Sequence, residues 1–236
     1  MNTKSQWDTA VDIYNEGMGE DGDVLNNTLI YPVIIKLLGN FKNKTILDSG
    51  CGSGYFTAKL AENAKEVIGT DFSESFIKLC KHKYITIPNL TFEQQDITEK
   101  MQFKDGSFDF VISKMVLQYV KDLHMFADET LRILRKSGHL LIAVDHPFNT
   151  QFYFAQKLAG SMNPKYKSLS HYFDRNEQTK RSLWGKVDLT WYPKTIADYS
   201  MPFINKGFYL NTIEELSEEK KGTPIPRVLI LDFLKK

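Results

Sequence analysis

The stretch that most limits what this chain can become is Thr45-Ile46-Leu47-Asp48-Ser49-Gly50-Cys51-Gly52-Ser53-Gly54. An apolar run ends on a carboxylate and passes into three glycines at alternate positions. Lacking a Cβ, those positions bend sharply and let the backbone approach a ligand closely. A helix pattern, Phe56-Thr57-Ala58-Lys59-Leu60-Ala61, follows at once. Strand, glycine turn and helix N-terminus in that order predict a ligand cradle at the edge of an α/β sheet.

The surrounding chain keeps the same rhythm. Apolar strand patterns fall at 45–48, 67–71, 90–96, 108–113 and 139–144, with helix patterns between most of them. Ser73 is placed to cap a helix running to Lys83, and Asp122 one whose stripe (Leu123, Phe126, Ala127, Leu131, Leu134) stops near Gly138. Alternating strands and helices predict a parallel sheet covered on both faces. Two further strands, 208–213 and 227–234, have no helix between them and should pair antiparallel. The 236 residues suit one domain with an insertion.

Three segments stand outside that rhythm. Residues 1–23 are polar with isolated aromatics, Trp7 and Tyr14, and read as a flexible or lid-like arm. Those two rings either anchor the arm or cover a ligand. Residues 24–41 are helical in pattern, and Pro32 suits the first turn of a second helix. Residues 146–193 hold ten aromatics with little periodicity, and a connection that long is usually functional or has a small structure of its own. After it, Thr195 and Asp198 fit a capping box for a helix that Gly207 ends.

What the turn holds is narrowed by what it lacks. A dinucleotide site needs Gly-x-Gly-x-x-Gly, but after Gly50 and Gly52 the third glycine position is Tyr55. The leading Asp48 would repel a closely approaching diphosphate and favours a ligand carrying an ammonium as well as a carboxylate. The second strand ends on Asp71, 17 residues after Gly54, where a carboxylate accepts hydrogen bonds from vicinal ribose hydroxyls. The third ends on Asp96, suited to an exocyclic amine, with Phe72 and Ile97 placed to flank a ring. Three acids on successive strand ends form an ordered set at the edge where open α/β sheets bind ligands.

With these residues in view, the chain resembles the class I S-adenosylmethionine-dependent methyltransferases, in particular the small-molecule, UbiE-like (type 11) group. The matching stretches are Asp48 to Gly54, Gly69 to Ser73, Gln95-Asp96, Phe108 to Val111 and Leu131 to Leu140. The resemblance implies a single Rossmann-like α/β domain over 1–236. Its seven-stranded sheet would be mostly parallel with the last strand antiparallel, with helices on both faces. It implies that 1–40 cover the cofactor, Tyr14 among them, and that 146–193 form an aromatic-rich lid over the acceptor. It implies S-adenosyl-L-methionine as cofactor and S-adenosyl-L-homocysteine as product. Asp48, Gly50 and Gly52 would line the amino-acid and nucleoside path, Asp71 the ribose, Asp96 the adenine amine, and Phe72 and Ile97 the adenine faces. The backbone at Ser113 and Lys114 would receive the amino-acid end. One departure is informative. Relatives with a similar insertion often carry Tyr-His-Arg-Thr before the next helix, and here it reads Tyr192-Pro193-Lys194-Thr195.

Methyl transfer from a sulfonium needs position first and a general base only where the acceptor must lose a proton. Candidate bases are His146, just past the fifth strand, and more weakly Tyr192 and His171. Tyr119, His171, Trp184 and Trp191 are candidate acceptor contacts. Lys plus Arg number 30 and Asp plus Glu 29, a balance that argues against a dedicated nucleic-acid binder. The two cysteines suggest neither a disulfide framework nor a metal site, and no apolar run is long enough to span a bilayer. A small-molecule acceptor, a cytoplasmic location and a monomer or homodimer are the corresponding expectations.

Overall fold

A computed structural model describes residues 3–148, 172–183, 185–220 and 223–236. Its centre is a seven-stranded sheet in the order β3-β2-β1-β4-β5-β9-β8. The strands are β1 (Thr45–Ser49), β2 (Glu66–Asp71), β3 (Leu90–Gln94), β4 (Phe108–Lys114), β5 (Leu134–Asp145), β8 (Phe208–Lys220) and β9 (Thr223–Lys235). Strands β1 to β5 are mutually parallel, and β9 pairs antiparallel with both β5 and β8, so β9 alone runs against the rest. The chain winds outward from β1 through β2 to β3, then crosses back to place β4 on the other side of β1. That reversal opens a crevice at the carboxyl ends of β1 and β4, where doubly wound sheets take their ligands.

Period-two alternation in the strands divides the core into two layers. Ile46, Val67, Phe110 and Ile112 pack with Ile34, Phe56 and Leu60, from α2 (Tyr31–Leu38) and α3 (Tyr55–Ala61). Their neighbours Leu47, Val111, Leu140 and Ile142 pack with Phe126, Ile133 and Phe203, from α5 (His124–Ile133) and α6 (Ile196–Ile204). Helix α4 (Glu74–Lys83) is capped by Ser73, whose hydroxyl accepts from Phe76 N, and α6 opens with the Thr195–Asp198 capping box.

Several segments differ from expectation. Residues 3–18 form a helix, α1 (Thr3–Met18), rather than a loose arm. Its few apolar residues, Trp7, Ala10, Val11, Tyr14 and Met18, recur at three- and four-residue spacing, and that single stripe suffices to dock it. Asn26–Ile30 form a π-helical turn before α2, whose first turn takes Pro32. Helix α5 stops at Ile133, short of Gly138. Strand β5 begins at once, with Ser137 in it at φ 61°, and a Cβ on Gly138 would lie 2.9 Å from Arg135 O and 3.0 Å from Asp109 O. Strands β8 and β9 run much further than their apolar cores, pairing from Phe208↔Lys235 to Lys220↔Thr223. The described part of 146–193 contains an antiparallel hairpin, β6 (Gln178–Ser182) with β7 (Val187–Trp191). Among the described residues no helix is long and apolar enough to cross a membrane.

Candidate active site

The strand register aligns the carboxyl ends of the parallel strands along one edge. Asp48 stands opposite Gly69 and Ile112, and Asp71 opposite Gln94. Over that edge lies a cavity of about 640 Å³.

The glycine turn forms its floor. Gly50 N and Cys51 N donate to Thr70 O at 2.7 and 2.8 Å, and Gly52 N donates to Asp71 Oδ2 at 3.0 Å. Gly50 sits at φ +85°, and a Cβ there would fall 2.3 Å from Val116 Cγ2. Position 50 therefore calls for glycine. Asp71 Oδ1 accepts from Ser73 N at 2.9 Å. Burial pushes its carboxyl up to about 6, against the hydrogen bonds from Ser73 and Gly52, and the charges of Asp48 and Asp8 add to the rise. Asp96 lies further along, with Phe72 and Ile97 beside it in the cavity wall, and its Oδ1 is held by Thr98 N and Oγ1.

Asp48 is not on the cavity surface. It is 1% exposed, accepts from Thr57 Oγ1 at 2.7 Å, and burial raises it to about 6. Ser113 is likewise covered by protein. Lys114, expected to act through its backbone, brings its side chain into play. Lys114 borders the cavity, and its Nζ donates to Asn26 Oδ1 at 2.9 Å and Tyr55 OH at 2.7 Å and lies 4.9 Å from the Tyr55 ring centroid. Met115, next along, has φ 61°, a left-handed backbone at the mouth of the crevice.

Helix α1 closes the cavity from above with rings. Trp7 meets Tyr14 at 5.9 Å, Phe76 at 6.4 Å and Tyr119 at 5.1 Å between centroids, and Tyr14 meets Phe76 at 5.4 Å. Polar ties fix the helix on either side of Trp7. Ser73 Oγ donates to Asp8 Oδ1 at 2.5 Å, and Thr190 N donates to Gln6 Oε1 at 3.0 Å. The Tyr14 ring also stands over Gly52, 3.1 Å from where a Cβ would be.

The sequence candidates for acceptor chemistry fare unevenly. His146 does not face the cavity. It is 4% exposed, with Nε2 2.7 Å from Glu215 Oε1 and Nδ1 accepting from Phe148 N, so both nitrogens fasten the bend before Pro147. Tyr192 does line the cavity, but burial, with the charge of Glu177, raises its hydroxyl pKa and makes it a poor base. Tyr119 lines it too. Trp191 is buried behind Tyr119 at 5.3 Å, so its part is to back the wall. His171 and Trp184 lie outside the described residues. Lys194 is buried, and its Nζ donates to Val120 O and Tyr192 O, bracing two residues of the cavity wall. Burial lowers its pKa to about 8.

Sequence reasoning missed Asn26, Gln118, Asp145 and Arg227, all of which border the cavity. The signal for Asp145 was present, since it ends the fifth strand as Asp71 ends the second. His146 carries the more conspicuous side chain, but it lies one residue past the strand end and is turned away from the cavity.

The donor and acceptor set fits an adenosyl amino acid. A floor too tight for a Cβ, Asp71 and Asp96 along the edge, apolar residues beside Asp96 and a cation at Lys114 match its ribose, base and carboxylate in turn. Comparisons with known proteins agree. Residues 47–142 match the methyltransferase domain family. Phosphoethanolamine N-methyltransferase 1 of Triticum aestivum is 33% identical over 117 residues, 47% of this chain but only 23% of that protein. A crystal structure from Listeria monocytogenes, assigned as an S-adenosylmethionine dependent methyltransferase, is 25% identical with TM-score 0.71 over 87% of this chain and 97% of its own. Magnesium protoporphyrin IX methyltransferase from Synechocystis, solved with bound S-adenosylhomocysteine, shares the fold at 18% identity, with TM-score 0.66 over 99% of this chain and 98% of its own.

Proposed function

We propose that this chain, a class I S-adenosylmethionine-dependent methyltransferase by its domain and fold, methylates a small-molecule acceptor held inside its own cavity. The observation that carries this reading is the continuity of the cavity. One space of about 640 Å³ joins the strand-end acids to a wall of aromatic residues over β5 and the β6–β7 hairpin. That volume is of the size that holds a cofactor and a small partner.

S-adenosylmethionine supplies a methyl group on a sulfonium, already electrophilic. The protein's task is to hold the acceptor in line with it and to keep water out. Asp71 and Asp96 would accept from ribose and adenine, and Lys114 would pair with the carboxylate. Trp7 and Tyr14 would cover the cleft from α1, making residues 1–40 its roof, while the hairpin within 146–193 would wall the acceptor side.

A macromolecular acceptor would call for a basic rim, and the near-neutral chain offers short, scattered basic clusters instead. The test is transfer of labelled methyl to a cell extract separated by size. Label in the small-molecule fraction is expected. Label confined to RNA or protein would overturn the reading.

A further inference from the structure

Beyond the cofactor's path the cavity is bordered by Asp145 at the end of β5, Arg227 of β9 and the turn Leu117–Tyr119. Resting on the methyl-transfer reading above, we propose that the acceptor is an amine, bound there as its ammonium by Asp145 and Gln118.

Two oxygen acceptors, from Asp145 and Gln118, face this space, with the Arg227 cation at its border. Asp145 is 6% exposed and ends β5 on the cavity wall. It stands near enough to Tyr119 that its charge, after burial, raises that hydroxyl's pKa. Gln118 is 1% exposed and also faces the cavity, and its Oε1 has no hydrogen-bond partner among the described residues. A buried carbonyl oxygen left without a donor is destabilising, so a ligand N–H there is favoured. Trp7 and Tyr119, packed edge to face at 5.1 Å between centroids, close the wall beside these two acceptors. An ammonium offers three donors and a positive charge to this set. A hydroxyl offers one donor and no charge, and a carbon acid offers neither. Arg227 borders the same space and would receive an anionic group elsewhere on the amine.

The chemistry balances within these residues. The ammonium gives a proton to the Asp145 carboxylate, and the freed nitrogen lone pair forms the C–N bond to the methyl carbon. The C–S bond breaks with its electron pair returning to sulfur. The product leaves as the methylated ammonium, and Asp145 returns its proton to water.

The experiment uses the full chain, methyl-labelled S-adenosylmethionine and a metabolite extract split by acidic cation exchange into amine-containing and amine-free fractions. Label should enter the amine fraction, with fragmentation placing it on nitrogen. For the amine so identified, calorimetry on the S-adenosylhomocysteine complex should show at least a tenfold loss of affinity in Asp145→Asn and a smaller loss in Gln118→Leu. Binding of S-adenosylhomocysteine itself should be unchanged in both. Label on oxygen or carbon, or no labelled small molecule while the cofactor still binds, overturns the amine proposal and leaves the cofactor assignment standing. So does an Asp145→Asn protein that loses affinity for S-adenosylmethionine but not for the amine, since Asp145 would then serve the sulfonium. Failure of the wild-type chain to bind either cofactor form would instead overturn the reading beneath it.

Discussion

At the residue scale, the cofactor edge depends on carboxylates kept out of water. Asp48 and Asp71 both have carboxyls raised from an ordinary 3.8 to about 6, with burial the first cause in each. A folded-state value above the unfolded one means stability that is present below about pH 4 and lost as pH rises through about 6. Two units correspond to about 3 kcal/mol for a fully buried group. Asp48 allows a clean test, because Asn keeps an oxygen to accept from Thr57 Oγ1. Asp48→Asn is expected to be more stable than the native chain at pH 8 by up to about 3 kcal/mol, with the advantage vanishing near pH 4. Urea unfolding at both pH values measures it, and an advantage independent of pH would contradict the assigned cause. At this scale the sequence was legible where a residue ends a strand and illegible where its orientation matters. Asp71 and Asp96 follow from position alone. Reading His146 as cavity-facing was wrong because the contacts that hold it, Glu215 and Phe148 N, come from the long β8 strand and the turn beyond Pro147.

At the element scale, α1 is the part whose role the sequence concealed. Its composition is polar, and its stripe is made of aromatics spaced widely enough to look isolated. The structure joins Trp7, Tyr14, Phe76 and Tyr119 into one edge-to-face cluster drawn from α1, α4 and the turn after β4. Each such ring pair contributes roughly 0.5–1.5 kcal/mol beyond its area. Trp7→Ala removes two of these contacts and a tilted one with Phe76, so S-adenosylhomocysteine affinity should fall about tenfold or more while the sheet stays folded. Binding calorimetry with circular dichroism separates the two effects. Unchanged affinity with α1 detached would mean that the helix merely decorates the surface. The central strands, by contrast, were readable because the apolar runs of β1, β2 and β5 end in Asp. The length of the β8–β9 hairpin was not, since its outer half carries the charged run Glu214 to Lys221, which reads as a loop.

At the scale of the whole molecule, topology does what no single residue could. Crossing from β3 back to β4 beside β1 brings residues 26, 50, 71, 96, 114 and 145 to one rim, though they span half the chain. Fold and cofactor were legible because that rim is written at regular strand ends. The acceptor was less so, because its walls come from α1, a hairpin and β9, segments with no shared pattern. The central claim is that the turn from Asp48 to Gly54, with Asp71 and Asp96, holds an adenosyl amino acid and not a dinucleotide. Calorimetric titration of the native chain and of Asp71→Ala with S-adenosylmethionine, S-adenosylhomocysteine and NAD tests it most directly. The account predicts one-to-one binding of the first two, none of NAD, and at least a tenfold loss in Asp71→Ala. Binding of NAD alone, or an Asp71→Ala chain that binds S-adenosylhomocysteine as the native chain does, would contradict it.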